Sequence, residues 1–309
     1  MDTVTRREFL SAAAIGAAAT GARRGEAGDG FRGTLCFFSK HLPDMDAVRL
    51  ARALKPLGFG GVDLTVRPGG HVKPERAAED LPPFLETLRD GGLEVPLITT
   101  GLLSGDEATA RPILETAGRE HVPFFKPGYY RYAFVDVVKE LETAAAQLRG
   151  LAGLSQRCGV QLAFHNHAGY VGAPVWDIAR VIDGLDPRWV GYYFDVRHAV
   201  VEGGDGGWRA ALNLVAPRLK MIAVKDFFWE KTARGWQQRN CPLGEGMVDW
   251  KQYAAALAKA GFHGPVSLHM EYEPGGATAA AREENTLAAA ARDLAFLKAR
   301  LAEAYGPSR

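Results

Sequence analysis

A chain of 309 residues that is 47% hydrophobic and 24% charged has the composition of an ordinary globular protein, long enough for one large domain or two small ones. Its formal net charge of +1 offers no electrostatic footprint for nucleic acid or an anionic membrane, so neither is expected as a partner. Cys36, Cys158 and Cys241 are odd in number and lack CxxC spacing, which argues for buried thiols rather than a disulfide framework or a zinc knuckle.

The first segment stands outside the fold. "TRREFLSAAAIGAAATGA" sets Arg6-Arg7 ahead of Phe9-Leu10 and a weakly apolar alanine run, too short and too mild to span a bilayer. That order resembles a twin-arginine export signal, with cleavage expected between Ala22 and Ala27; an amphipathic helix with a chance arginine pair is the plainer alternative. On the export reading residues 1–27 are a signal peptide and residues 28–309 are the mature protein, periplasmic or otherwise exported and without a membrane attachment after cleavage.

From there the chain alternates between β-rich and helical patterns. Strands are expected at "TLCFFS" (34–39), "GVDLTV" (61–66), "EVPLIT" (94–99), "HVPFFK" (121–126), "VQLAFHNH" (160–167), "WVGYYFDV" (189–196), "LKMIAVKD" (219–226) and "PVSLHMEYE" (265–273). Between them lie helices such as "DMDAVRLARALKPLG", with Asp44 or Asp46 as cap and Gly58 as stop, and an alanine-rich stretch from Phe134 to Leu154. Strand–helix alternation argues for parallel βαβ units, and eight of them match a single-domain α/β (β/α)8 TIM barrel. A doubly wound open sheet is the alternative, but no G-x-G-x-x-G follows the first strand. The longest excursion, residues 227–246 after the seventh strand, is expected to form a lid.

In such a barrel the site lies where strands end. The fifth strand ends in His165 and His167, which strand alternation points to one side, and the sixth in Asp195 with His198 just beyond. The seventh contributes Lys225 and the eighth His269, Glu271 and Glu273. Earlier strands add Asp63, Arg67 and Lys126. Each has a plain structural alternative: a hydrogen-bonded histidine, a capping aspartate, a surface Lys225-Asp226 pair, solvated edge carboxylates. Their convergence at one end of the barrel favours function, because ionisable groups are costly to bury without partners.

These segments resemble the sugar phosphate isomerase/epimerase superfamily, the xylose-isomerase-like TIM barrels: "GVDLTV", "FHNH", "FDVRHA", "VKDF", "PLGEGMVDW" and "LHMEYE" fall in the family's order from "TLCFFSKHL" to "MEYEP". In the epimerases of that group a divalent metal is held by Glu, Asp, His and Glu from strands five to eight. The resemblance places Asp195 at the second ligand position and Glu271 at the fourth, while His165 replaces the first and Ala223, which cannot ligate, the third. His165, His167, Asp195 and Glu271 would then form a rearranged metal set, suited to Zn, Mn, Fe or Co more than Mg. The alternative is a metal-free site with His165 as acid/base and Lys225 polarising a carbonyl.

The implied activity is isomerisation or epimerisation of a keto-sugar or cyclitol by proton abstraction beside a carbonyl. Glu271 is the expected base, His165 its partner across the sugar, and a metal or Lys225 the group that holds the oxyanion. Arg67, Lys126, His198, His269 and Glu273 are expected to bind substrate hydroxyls or a negative group, and Tyr129, Tyr130, Phe227 and Trp229 to stack on sugar faces. A lyase or dehydratase on an oxidised sugar or glycoside, and a non-catalytic sugar-binding barrel, are the rivals; an endonuclease-IV-like nuclease is disfavoured by the balanced charge. The partner is a small carbohydrate, and a homo-oligomer is compatible with all of this.

Overall fold

In the computed structural model, which describes residues 30–306, eight parallel strands close into a barrel. They are β1 (Leu35–Phe38), β2 (Gly61–Val66), β3 (Glu94–Thr100), β4 (Phe124–Lys126), β5 (Gln161–His165), β6 (Val190–Asp195), β7 (Leu219–Val224) and β10 (Val266–Leu268). Around the ring the order is β1-β10-β7-β6-β5-β4-β3-β2, so β10 faces β4 across the barrel and β7 faces β3. The expected α/β barrel is the observed one. The twin-arginine reading concerns residues outside those described.

Helices α1 (Ala47–Leu57), α2 (Ala77–Asp90), α3 (Ala110–Arg119), α4 (Val137–Cys158), α5 (Trp176–Asp183), α6 (Val196–Val215), α7 (Trp250–Lys259) and α8 (Ala279–Tyr305) complete the alternation. Among the described residues no helix is long and apolar enough to cross a membrane. Their ends follow local chemistry. Asp46 accepts from Arg49 N to start α1, and Gly58, at φ 90°, stops it in the left-handed region. Helix α4 begins three residues after Phe134 because Asp136 caps it and the Glu140 carboxylate gathers the amides of Ala133 to Asp136. It runs on to Cys158, past the expected end, until Gly159 adopts φ 73°.

Two apolar layers hold the barrel. Leu50, Leu54, Leu85, Ile113, Leu148, Ile178, Leu212 and Leu294 pack helices onto the outer sheet face. Inside, Cys36, Leu97, Ala163, Tyr193, Met221 and Ala223 form a small plug, so Ala223 is a barrel-filling residue beneath the mouth.

Several strands are shorter than the sequence suggests, and each shortening places a functional side chain. The ladder of β5 ends at His165, so His167 lies beyond it. That of β10 ends at Leu268, so His269, Glu271 and Glu273 are loop residues. The expected seventh strand breaks at Lys225: Val224 closes β7, while Asp226 opens an antiparallel hairpin of β8 (Asp226–Thr232) and β9 (Gly235–Cys241). That hairpin forms most of the expected lid. The buried Asp226 carboxylate takes hydrogen bonds from the amides of Phe227, Gly244, Gly246 and Val248 and from Trp250 Nε1, tying the returning loop to the hairpin base.

Candidate active site

Asp195 closes β6 and caps α6, accepting from His198 N at 3.2 Å. Its carboxylate meets the Lys225 ammonium at 3.0 Å and His165 Nε2 at 3.2 Å, with His198 Nε2 at 3.8 Å. Lys225 thus points into the barrel mouth and Asp226 away from it, so they are not a surface ion pair. Asn166 fastens the strand end from the side: its Nδ2 donates to Asp195 O at 3.0 Å and its Oδ1 accepts from Asp195 N at 2.7 Å. Burial alone would raise the Asp195 carboxyl, but Lys225, and then the two imidazoles, hold it well below the usual carboxylate range.

The tautomers follow from these partners. An ionised Asp195 accepts only, so His165 Nε2 carries the hydrogen and its Nδ1 accepts from Tyr129 OH at 2.9 Å. Burial, only partly offset by Asp195, pushes His165 down to about 4, leaving it neutral. Its side chain is 1% exposed. The imidazole therefore reaches the mouth only through the half-buried Tyr129 hydroxyl. Burial, then the Asp195 charge, raise Tyr129 above its ordinary value and keep it protonated.

His167 stacks its ring 3.9 Å from that of His198 and donates from Nδ1 to Ala168 O at 3.0 Å. Burial and then Lys225 lower it to about 4. His198 Nδ1 faces Arg197 at 3.2 Å and so accepts, which leaves the Nε2 hydrogen buried without a close acceptor.

Across the barrel a second network rests on Asp63, buried on β2. It accepts from Thr99 Oγ1 at 2.7 Å, Ser267 Oγ at 2.7 Å and Tyr193 OH at 3.2 Å. Burial raises its carboxyl and these donors counter the rise. With both hydroxyl hydrogens of Ser267 and Tyr193 given to Asp63, their oxygens accept from His269 Nε2, each at 3.1 Å. His269 Nδ1 is left as a bare, buried acceptor 4.0 Å from Glu271 Oε1. Glu271 itself is paired with Lys40 at 2.9 Å. Burial works to raise its carboxyl, but the Lys225 and Lys40 ammoniums bring it down to about 2, so it is ionised at any ordinary pH.

The remaining expected residues divide. Lys126, at the end of β4, is buried with its ammonium 3.4 Å from the centre of the Tyr129 ring, and Arg67, one residue past β2, lies over Phe38 at 5.6 Å. Glu273 is exposed and lines, with Glu271, Lys40, His41 and Arg282, a cavity of about 490 Å³ between the loops after β1 and β10, which meets the cluster at Glu271. Of the four aromatics only Tyr129 meets the cluster: Tyr130 donates to Leu103 O and stacks on Phe164, Phe227 is buried under Arg197, and Trp229 sits half-exposed on the hairpin. Lys40, Asn166 and Tyr193 escape the sequence reading, although Tyr193 shares strand parity with Asp195 and was open to the same argument.

The rearranged metal set does not assemble in this arrangement. Asp195 is engaged by Lys225 and His165, Glu271 by Lys40, and among the described residues no three His, Cys, Asp or Glu side chains stand where they could hold a metal ion. An ammonium at the Asp195 carboxylate supplies the positive charge there instead, so the donors present do not fit the four-ligand centre that the resemblance implies.

The profile of the family described as Xylose isomerase-like TIM barrel matches residues 51–300. The inosose dehydratase of Bacillus velezensis is 26% identical over 147 residues, 44% of this chain and 49% of that protein, and the one from Salmonella typhimurium is 26% identical over 138 residues, 41% and 45% respectively. The chain spans about half the length of these curated relatives. A xylose isomerase-like TIM barrel protein from Mycobacterium smegmatis, solved in complex with magnesium, superposes with a TM-score of 0.66 at 17% identity, covering 89% of this chain and 98% of that one. D-psicose 3-epimerase from Clostridium cellulolyticum H10 gives 0.66 at 13% identity, covering 87% and 99%, and 3-keto-D-glucoside 4-epimerase from E. coli 0.64 at 15%, covering 86% and 99%. Barrel closure, strand-end chemistry and a profile match over most of the sequence agree: this chain belongs to the Xylose isomerase-like TIM barrel family.

Proposed function

We propose that the protein is a sugar isomerase or epimerase that moves a proton on the carbon next to a carbonyl, in a keto-sugar or cyclitol ketone, using side chains in place of a metal. The observation that carries this reading is the Tyr129–His165–Asp195–Lys225 chain of contacts at the C-terminal end of the barrel, with Glu271 on the wall opposite Tyr129. Lys225 donates to the carbonyl oxygen and stabilises the enediolate as negative charge develops there. Glu271, ionised, accepts the α-proton on one face, with the bare His269 Nδ1 beside it.

Tyr129 serves the other face. In one direction its hydroxyl gives a proton to the enediolate carbon, and Lys126, 3.4 Å from the ring, stabilises the phenolate that results. In the reverse direction that phenolate takes the α-proton and the protonated Glu271 returns its own to the opposite face, while His165, held by Asp195, orients the Tyr129 oxygen through Nδ1. His165 thus acts behind Tyr129 rather than on the sugar.

A dehydratase is the second reading, favoured by the similarity to inosose dehydratases. It shares the first step: the α-proton goes to the same base, and the electron pair then expels a β-hydroxyl, which leaves as water on taking a proton from Tyr129 or from the protonated base. Incubation in D₂O with a panel of keto-sugars and inososes tests both readings, since deuterium enters at the α-carbon in an isomerase or epimerase and a dehydrated 1,2-dicarbonyl product accumulates in a dehydratase. A protein that binds sugars and does neither is a binding barrel, and the proposal fails.

A further inference from the structure

The barrel mouth carries more positive charge than its own carboxylates neutralise. Lys225 is paired with Asp195 and Lys40 with Glu271. Lys126 and Arg67 have no carboxylate or hydrogen-bond acceptor for their side chains among the described residues; each has a ring instead, Tyr129 for Lys126 and Phe38 for Arg67. Lys126 is nevertheless 2% exposed. A buried ammonium without a paired carboxylate is costly, and here burial, then the Arg67 guanidinium, outweigh the attraction of Asp63 and hold Lys126 well below the usual lysine range. An isolated structural lysine would gain by turning to water or to a carboxylate.

The placement of the pair is as informative as its lack of partners. Lys126 ends β4 and Arg67 follows β2, so they flank β3, whose Thr99 lies level with Lys126 in the ladder. In the ring β3 stands opposite β7, and Lys225 follows β7. The free cations and the proposed carbonyl-polarising cation are therefore on opposing walls of one mouth.

We propose that Lys126 and Arg67 form an anion subsite that takes the charged end of the substrate, a carboxylate or phosphoryl group on the carbon chain remote from the carbonyl held at Lys225. This rests on the proposed carbonyl chemistry and narrows its substrate class from sugars at large to acidic sugars. Guanidinium and ammonium together suit an oxyanion with charge-assisted hydrogen bonds.

Three ketoses that differ only at C6 separate the possibilities: D-fructose, D-fructuronate and D-fructose 6-phosphate. Titration calorimetry with wild-type protein should show one or both anionic ketoses binding about 10- to 100-fold more tightly than D-fructose, the span expected for a charge-assisted hydrogen bond. Preference for D-fructuronate identifies a carboxylate, and preference for D-fructose 6-phosphate, matched by competition from inorganic phosphate, identifies a phosphoryl group. Arg67→Met should erase most of the preference while leaving D-fructose binding within a few-fold, and Lys126→Met, which also removes the support proposed for the Tyr129 phenolate, should erase most of the preference in the same binding readout. Lys126→Arg, which keeps the charge should the methionine variant not fold, should retain part of it. Equal affinity for all three ketoses, or a preference that survives both methionine variants, overturns the subsite. Binding is read without turnover, so an anion preference without α-proton exchange keeps the subsite and removes the isomerase reading, and exchange without preference does the reverse.

Discussion

The Lys225 ammonium lies 3.0 Å from the Asp195 carboxylate, and both side chains are shut away from solvent, 5% and 0% exposed. A pair buried this deeply is held by mutual compensation, and removing one member strands the other. Lys225→Met should destabilise the protein by about 3–5 kcal/mol, and adding Asp195→Asn, which keeps the cap on α6 but removes the charge, should recover most of that loss. Urea unfolding of both variants measures this. A double variant no more stable than the single one contradicts it.

The Tyr129 hydroxyl is the point at which the buried His165 meets the mouth. Tyr129→Phe preserves the ring beneath Lys126 and removes the group that carries the proton. Turnover should fall ~10²–10⁴-fold, while the buried His165 Nδ1 left without its donor costs only about 1–3 kcal/mol of stability. His165→Ala should slow the same step, and combining it with Tyr129→Phe should add little, because the two act in series. Fully multiplicative losses in that cycle rule out the series.

Stability should decline on mild acidification. His165 and His167 are lowered to about 4 in the folded state against 6.5 ordinarily, so the unfolded chain binds their protons first. Their contribution is intact above about pH 6.5 and is lost progressively down to about 4. Glu271, lowered to about 2 from 4.5, adds a second loss below that window. Urea midpoints between pH 7.5 and 4 should fall with several protons taken up on unfolding, because burial also lowers His41 to about 4 and His198 and His269 well below their ordinary value, and His167→Asn should shrink the slope by its own share. A flat profile above pH 4.5 sinks the assignment of both imidazoles as neutral.

Asp226 is a structural carboxylate. It gathers four amides and the Trp250 indole without touching the mouth. Asp226→Asn exchanges one acceptor oxygen for a donor and should cost on the order of 2–3 kcal/mol. Residues 226–250 should then be cut by protease before the barrel is. Unaltered resistance there shows that the hairpin base is fastened by something else.

What is legible in the sequence is the part governed by periodicity. Strand–helix alternation identifies all eight barrel strands, and strand-end position singles out His165, Asp195 and Lys225 before any contact is known. What escapes is governed by tertiary partners. Nothing local says that β5 stops at His165 or that Lys225 and Asp226 part company; the first depends on Asn166 bracing Asp195, the second on an ion pair to one side and five donors on the other. Lys40 lies in "TLCFFSKHL" past the end of the first strand and draws no notice there, yet its pairing with Glu271 helps to keep that carboxylate ionised. Glu273 continues the apparent alternation of "LHMEYE", but past Leu268 no ladder maintains that alternation: Glu271 is held by Lys40 while Glu273 is exposed.

The central claim is proton transfer between a carbon beside a carbonyl and Glu271. The most direct measurement is deuterium uptake from D₂O at the α-carbon of a keto-sugar, followed by NMR, for wild-type protein and Glu271→Gln, which keeps the shape of the side chain and removes its basicity. The account predicts enzyme-dependent exchange that falls ~10²–10⁴-fold in Glu271→Gln while sugar affinity stays within a few-fold. Exchange at the wild-type rate in Glu271→Gln would contradict it.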